Sequence, residues 1–245
     1  MPPDSASHRT WYAEQALLPS GWARDVCLTI DAAGDLVEVA AGASRADATP
    51  LGRWVVPGMP NLPSHAFQRA MAGLAERQAA ERDTFWSWRE TMYRYAGAVD
   101  PAALHAIAAQ LYADLLLHGY TAVCEFHYLH HQPDGHPYAP PRAMCDALVA
   151  AALETGIGLS LLPTLYMTGG FDGRALGERQ RRFHHEVDAL LALAGSVRAG
   201  AGPQLAVGLA LHSLRAVPPE ALALALGSAY AEAGPIHIHV AEQLA

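Results

Sequence analysis

The stretch DPAALHAIAAQLYADLLLHGYTAVCEF, Asp100 to Phe126, sets the architecture by changing its period partway along. Asp100 followed by Pro101 is an N-cap and first-turn pair, and Leu104, Ile107, Ala108, Leu111 and Leu115 recur at helical spacing. Gly119 stops that helix, and 120–126 is an apolar run of strand length. A His- and Pro-rich loop over 128–141 and a helix over about 142–154 come next. The cycle then repeats with a strand at 157–162, an Arg-rich helix around 178–193, a strand at 204–211, a helix over 219–233 and a last strand at 236–241. Upstream, 54–60 reads as a strand giving way to a loop, because Pro57 and Pro60 limit ladder hydrogen bonding. Strands alternating with helices predict an α/β fold with a parallel sheet, either open and doubly wound or closed as a barrel. No glycine-rich phosphate fingerprint follows any strand.

A closed (β/α)8 barrel needs eight strands and typically about 250 residues. Five strand candidates and a shorter stretch of chain after Pro57 predict an incomplete TIM barrel, about five of eight βα units, with the rest lying after Ala245. Ahead of it, 11–56 is β-like: 26–30, a turn at Ala33-Gly34-Asp35, then 36–39 reads as a hairpin. The expected domains are therefore an N-terminal β-sandwich portion over 1–56 and the truncated barrel over 57–245.

Composition narrows the partners. A chain of 245 residues that is 51% apolar and 16% charged can bury a substantial core. Its net charge is -8, and all sixteen basic residues are Arg, with no cluster suited to a phosphate backbone, so nucleic acid is a poor candidate partner and none is expected. Cys27, Cys124 and Cys145 lie far apart with no CxxC pair, which argues against a disulfide framework or a thiolate zinc site and fits a reducing cytoplasm. Neither a signal-type leader nor a run of about 18 apolar residues is found, so membrane insertion is not expected.

Chemistry concentrates in two segments. In His237-Ile238-His239-Val240-Ala241-Glu242, strand alternation puts His237 and His239 on one face, and a carboxylate three residues past a ligand His can stand beside a metal-bound water. For an isolated HxH, the simpler alternative is a buried strand whose histidines bond to backbone. The second segment runs from Val56 to Gly73 and contains Pro57-Gly58, Asn61, Pro63, His65 and Phe67-Gln68-Arg69.

This second run resembles the first-strand motif of the amidohydrolase superfamily, and its extension through Arg69 resembles the formimidoylglutamate deiminase family in particular. Trp86-Ser87-Trp88-Arg89-Glu90, Glu125 to His131, and His212 to Val217 agree with that family in order and spacing. The resemblance implies a (β/α)8 barrel holding one divalent metal, usually zinc, and a β-sandwich built from both chain ends. It implies hydrolysis of N-formimino-L-glutamate, a small-molecule substrate, to N-formyl-L-glutamate and ammonia in histidine degradation. Carried over residue by residue, His65 and His239 become metal ligands and Glu242 the carboxylate that handles protons. Gln68, Arg89, Tyr128, His212 and Arg215 become substrate-binding groups. Arg forms bidentate pairs with carboxylates, so a dicarboxylate-derived substrate suits Arg89 and Arg215. A flat heterocycle such as guanine, the substrate of other amidohydrolases, would instead favour stacking and amide donors. The remaining histidines, His105, His118, His127, His130, His131, His136, His184 and His185, are read as structural and assigned to no metal.

One departure stands out. Pro63 occupies the place of the first His of the HxH motif and has no lone pair to offer a metal. Its loss should cost on the order of 3 kcal/mol, or about two orders of magnitude in zinc affinity. The family's later ligands, a His on strand six and an Asp on strand eight, would fall after Ala245. Activity of this chain by itself is accordingly expected to be impaired or absent, which leaves a non-catalytic remnant as the alternative. With open sheet edges, the chain is also expected to be marginal, aggregation-prone or dependent on association, including homo-oligomers.

Overall fold

The structure is a computed structural model that describes residues 8–74, 85–228 and 234–241. The chain divides into two compact units, Met1–Gly58 and Met59–Ala245.

The first unit is a four-stranded sheet of β1 (Arg9–Leu18), β2 (Gly21–Ile30), β3 (Leu36–Ala40) and β4 (Thr49–Val55), in the order β3-β2-β1-β4. β1 and β2 pair antiparallel from Arg9↔Ile30 to Leu18↔Gly21, whereas β4 lies parallel to β1. The expected β2–β3 hairpin turns on Asp31, whose carboxylate accepts the N–H groups of Ala33 and Asp35 at 2.9 and 3.0 Å. Gly34 takes the left-handed conformation there, φ 93°. Ala13, Ala16 and Val26 form a small core. Trp22 and Trp54 are both more than half exposed and meet edge-to-face with centroids 5.3 Å apart.

The second unit carries a parallel sheet of β5 (Met59–Ser64), β6 (Tyr120–His127), β7 (Gly158–Leu165), β8 (Leu205–Val207), β9 (Leu209–Ser213) and β10 (Ile236–His239). The order is β10-β9-β7-β6-β5, with β8 also on β7. This is a parallel half-barrel, in keeping with an incomplete TIM barrel. The helices are α1 (Phe85–Ala96), α2 (Pro101–Leu117), α3 (Ala143–Thr155), α4 (Val187–Arg198) and α5 (Pro219–Leu226). Asp100 caps α2 as anticipated, accepting the Ala103 N–H at 2.8 Å, and Gly119 follows the helix with φ 87°. Leu104, Tyr112, Leu148, Leu161, Leu162 and Leu190 are among the fully buried side chains joining helices to sheet. No helix among the described residues is long and apolar enough to cross a membrane.

Three elements differ from the sequence reading, each for a local reason. The run 54–60 is divided: Trp54 and Val55 finish β4, and a new strand begins at Met59. Two prolines are tolerated in β5 because, among the described residues, it is an edge strand bonded only to β6, with an irregular register. The single helix expected over 178–193 is a 3-10 turn, Glu178–Phe183, followed by α4. The break arises because the Arg182 carbonyl accepts the N–H groups of His130 and His131, both at 3.0 Å, and the chain leaves helical geometry at His184. The strand at 204–211 is interrupted at Gly208, where an added Cβ would overlap the Pro235 carbonyl oxygen. The helix over 219–233 is observed to Leu226, and 229–233 lie outside the described residues.

Candidate active site

The carboxyl ends of β5, β6, β9 and β10 converge on a cavity of about 220 Å³. His65, Gln68, Arg89, Tyr128, His212, Arg215 and His239 all line it, so the structure gathers these candidates from five separate stretches of chain. Trp88, Met92, Tyr93, Tyr166 and Phe183 complete the wall. Glu242 lies outside the described residues.

His65 follows β5 directly and leads into the 3-10 turn Ala66–Met71. Its Nδ1 lies 2.9 Å from the Phe126 carbonyl oxygen. A carbonyl can only accept, so Nδ1 carries the proton and Nε2 keeps the lone pair. That Nε2 lies 3.2 Å from Nε2 of His239. Burial above all holds the His65 imidazole neutral, lowering its pKa to about 4, and the neighbouring His239 acts in the same direction while the Phe126 carbonyl opposes it. Two nitrogens bound at about 2.0–2.1 Å to one tetrahedral zinc would be about 3.3 Å apart, so the imidazole pair fits such an ion without rearrangement. Hydrogen bonding of the second ring nitrogen to a backbone carbonyl is the usual means of aiming a ligand His.

His239 ends β10, whose pairing with β9 shifts register between Ile238 and His239, with His212 of β9 as the extra residue. Of the HxH pair, which alternation puts on one face, His239 lines the cavity and His237 does not. The His239 ring stacks on Phe126 with centroids 4.3 Å apart and packs edge-on to His212 at 5.0 Å. His212 is buried, contacts the Tyr166 ring at 4.3 Å, and is held well below the ordinary imidazole pKa mainly by desolvation.

The polar wall is organised by tyrosines. Gln68 donates from Nε2 to Tyr128 Oη at 3.0 Å, Arg89 from Nε to Tyr93 Oη at 2.6 Å, and Arg215 from Nη1 to Tyr166 Oη at 3.3 Å. Gln180 donates to Tyr166 Oη from behind at 2.8 Å. Burial raises the Tyr93 phenol while the Arg89 guanidinium opposes that shift. Each guanidinium is thus aligned by a phenol, and its planar fork has the geometry that pairs with a carboxylate.

One important residue escaped the sequence reading. Glu125 is fully buried beneath the His65 turn, where it accepts from Ser64 Oγ at 2.7 Å, the Ala66 N–H at 2.6 Å and Tyr112 Oη at 3.4 Å. One carboxyl group therefore grips the residues on either side of His65. Desolvation raises its pKa to about 7 despite those three donors. The available signal was an acid inside the apolar run Tyr120 to Phe126.

A parallel βα sheet with strand-end imidazoles over a small polar cavity defines a βα-barrel protein that works at the carboxyl ends of its strands. The chain belongs to the amidohydrolase family, whose model, described as "Amidohydrolase family", matches residues 54–245. A second model, "Formimidoylglutamate deiminase HutF, N-terminal domain", matches residues 9–49. The chain is 50% identical over 235 residues to a formimidoylglutamate deiminase of Pseudomonas aeruginosa, covering 95% of this chain and 51% of that protein. Among solved structures it is similar to an amidohydrolase from Brucella melitensis, with TM-score 0.89, 44% identity, and coverage of 96% of this chain and 52% of the other. An adenosine deaminase from Xanthomonas campestris with bound zinc shares the fold at TM-score 0.65 and 17% identity, over 96% of this chain and 49% of that one. The chain thus spans about half the length of the relatives it matches.

Proposed function

We propose that the protein to which this chain belongs is a zinc-dependent formimidoylglutamate deiminase that acts in the cytoplasm. It converts N-formimino-L-glutamate and water to N-formyl-L-glutamate and ammonia: the carbon–imino nitrogen bond breaks, a carbonyl forms at the same carbon, and the nitrogen leaves carrying the protons. The observation that carries this reading is the convergence of two phenol-aligned guanidiniums, Arg89 and Arg215, on one cavity with the His65–His239 pair. At about 220 Å³ the cavity is smaller than the 300–1,000 Å³ or so of drug-sized sites, which suits a short acyclic substrate.

His65 and His239 would hold the ion through Nε2, and when bound it supplies Lewis acidity and lowers the pKa of a coordinated water. The remaining steps belong to side chains. Arg89 and Arg215 bind and orient the substrate carboxylates, Gln68 and Tyr128 form a linked donor pair at the wall, and the aromatic lining excludes bulk water. Glu242, three residues beyond His239, is the proposed proton carrier. Pro63 favours a second reading, in which this chain binds the substrate but does not turn it over.

Calorimetric titration of the full chain with N-formimino-L-glutamate and with guanine, alongside an ammonia assay, tests both. Binding of the acyclic substrate should fall by about 100-fold in Arg89→Ala and in Arg215→Ala, the loss expected on removing a charge-assisted carboxylate contact. Tighter binding of guanine, or unchanged affinity in both Arg variants, overturns the assignment. Binding without ammonia release supports the second reading.

A further inference from the structure

His127, at the end of β6, alternates with Phe126, so its ring belongs to the opposite face of that strand from the one that stacks on His239. There it meets His130 edge-on, with centroids 5.0 Å apart, above Cys145 in the first turn of α3. One ligand-capable atom from each of these three buried residues lies within 4.8 Å of the others. His127 Nε2 and His130 Nδ1 are buried without a hydrogen-bond partner, as are His131 Nδ1 and His185 Nε2 nearby. Each such orphan would ordinarily cost about 1–3 kcal/mol, and a group of them in one place calls for an ion or water to satisfy them.

The orphaned atoms have the character of ligands. His130 Nε2 faces the Thr164 carbonyl at 3.1 Å, so that nitrogen carries the proton and the lone pair sits on Nδ1. Burial keeps the His127 and His130 imidazoles neutral. Arg182 is close by, but its guanidinium donates to the carbonyls of Ala96, Val99 and His131, so the positive charge is already solvated. A cavity of about 630 Å³, lined by Pro140, Arg142, Glu186 and others, has His131 and His185 in its wall, and the His185 ring lies 4.4 Å from that of His130.

We propose that His127, His130 and Cys145 form a second metal site, distinct from the His65–His239 pair, for a borderline-soft cation of the zinc(II) type. Two imidazoles and a thiolate suit such an ion, with the fourth position left to water from the His131–His185 side. Ligands on one tetrahedral zinc lie about 3.3–3.6 Å apart, so a cluster already within 4.8 Å closes by up to about 1.5 Å. Binding replaces the thiol S–H bond by a sulfur–metal bond and releases the proton to solvent.

Cobalt(II) replacing zinc(II) provides the test, because a thiolate ligand gives a charge-transfer band that the thiol-free pair at the barrel mouth cannot give. The reduced full chain titrated with cobalt(II) should develop this band to one equivalent, and zinc(II) should abolish it. The band should persist in His65→Ala and in the double variant Cys27→Ser/Cys124→Ser, where Cys145 is the remaining thiol, and vanish in Cys145→Ser. Absence of the band in the unmodified chain or in the double variant overturns the proposal even if Cys145→Ser does not fold. A band surviving in a folded Cys145→Ser overturns it equally.

Discussion

Replacing Glu125 by Gln should flatten one part of the pH dependence of stability. In the unfolded chain this carboxyl ionises near its ordinary value of 4.5, whereas in the folded protein burial delays ionisation to about 7. Between those values the folded state keeps a proton that the unfolded state has released. Stability from this group is therefore intact below pH 4.5, falls as pH rises, and is fully lost above pH 7. A shift of about 2.5 units corresponds to about 3 kcal/mol. Gln has the same shape: its oxygen can accept the Ala66 N–H, and its amide can donate to Ser64 Oγ and Tyr112 Oη. Urea unfolding of both proteins from about pH 4.5 to 8 measures the effect as a difference, which cancels titrations common to both. With a urea slope of about 2–3 kcal/mol/M, the midpoint of the Glu125→Gln variant should gain about 1–1.5 M on the native one across that interval. Parallel curves would mean that the carboxyl is ionised at neutral pH, and the reasoning about its burial would fail.

Three further outcomes are expected. Pro63→His should raise zinc affinity by about 100-fold in competition with a chromophoric chelator, and an unchanged affinity would show that the ends of β5 and β10 do not share an ion. Below pH 6.5 the unfolded chain takes up protons that the buried imidazoles refuse, His65 down to about 4 and His127 and His185 down to about 3, so the melting temperature should decline as pH falls from 6.5 to 4; a flat profile would contradict their burial. Gly208→Ala should destabilise by about 1–3 kcal/mol in urea unfolding, because its Cβ would lie 2.7 Å from Leu162 Cδ2 as well as against the Pro235 carbonyl; a neutral effect would indicate slack between β9 and β10.

What could be read from the sequence was whatever a single segment states about itself. Asp100-Pro101 announces a helix start and Gly119 its end because capping is settled within a turn or two. The runs that became β6 and β7 reveal themselves because parallel strands covered on both faces are mostly apolar. β5 was harder: its prolines argue against a strand unless it is known to be an edge, which is a property of the whole sheet. The break before α4 depends on the Arg182 carbonyl being taken by His130 and His131, about fifty positions away. Within the candidate site, the family resemblance singled out His65, Arg89 and His239, but not their supports. Glu125 matters through Ser64 and Ala66, and Cys145 through His127 and His130, partnerships made by packing a strand end against a helix start.

The guanidinium of Arg182 reaches backwards to the carbonyls of Ala96 and Val99 and sideways to that of His131. A flat, forked cation can span these directions at once, whereas an ammonium on a flexible stem presents its donors from one point. The exit from α1 and the loop beyond β6 are therefore pinned to the same group, and loosening either would strip the buried charge of part of its solvation. The two segments should breathe together, as a single unit of local opening.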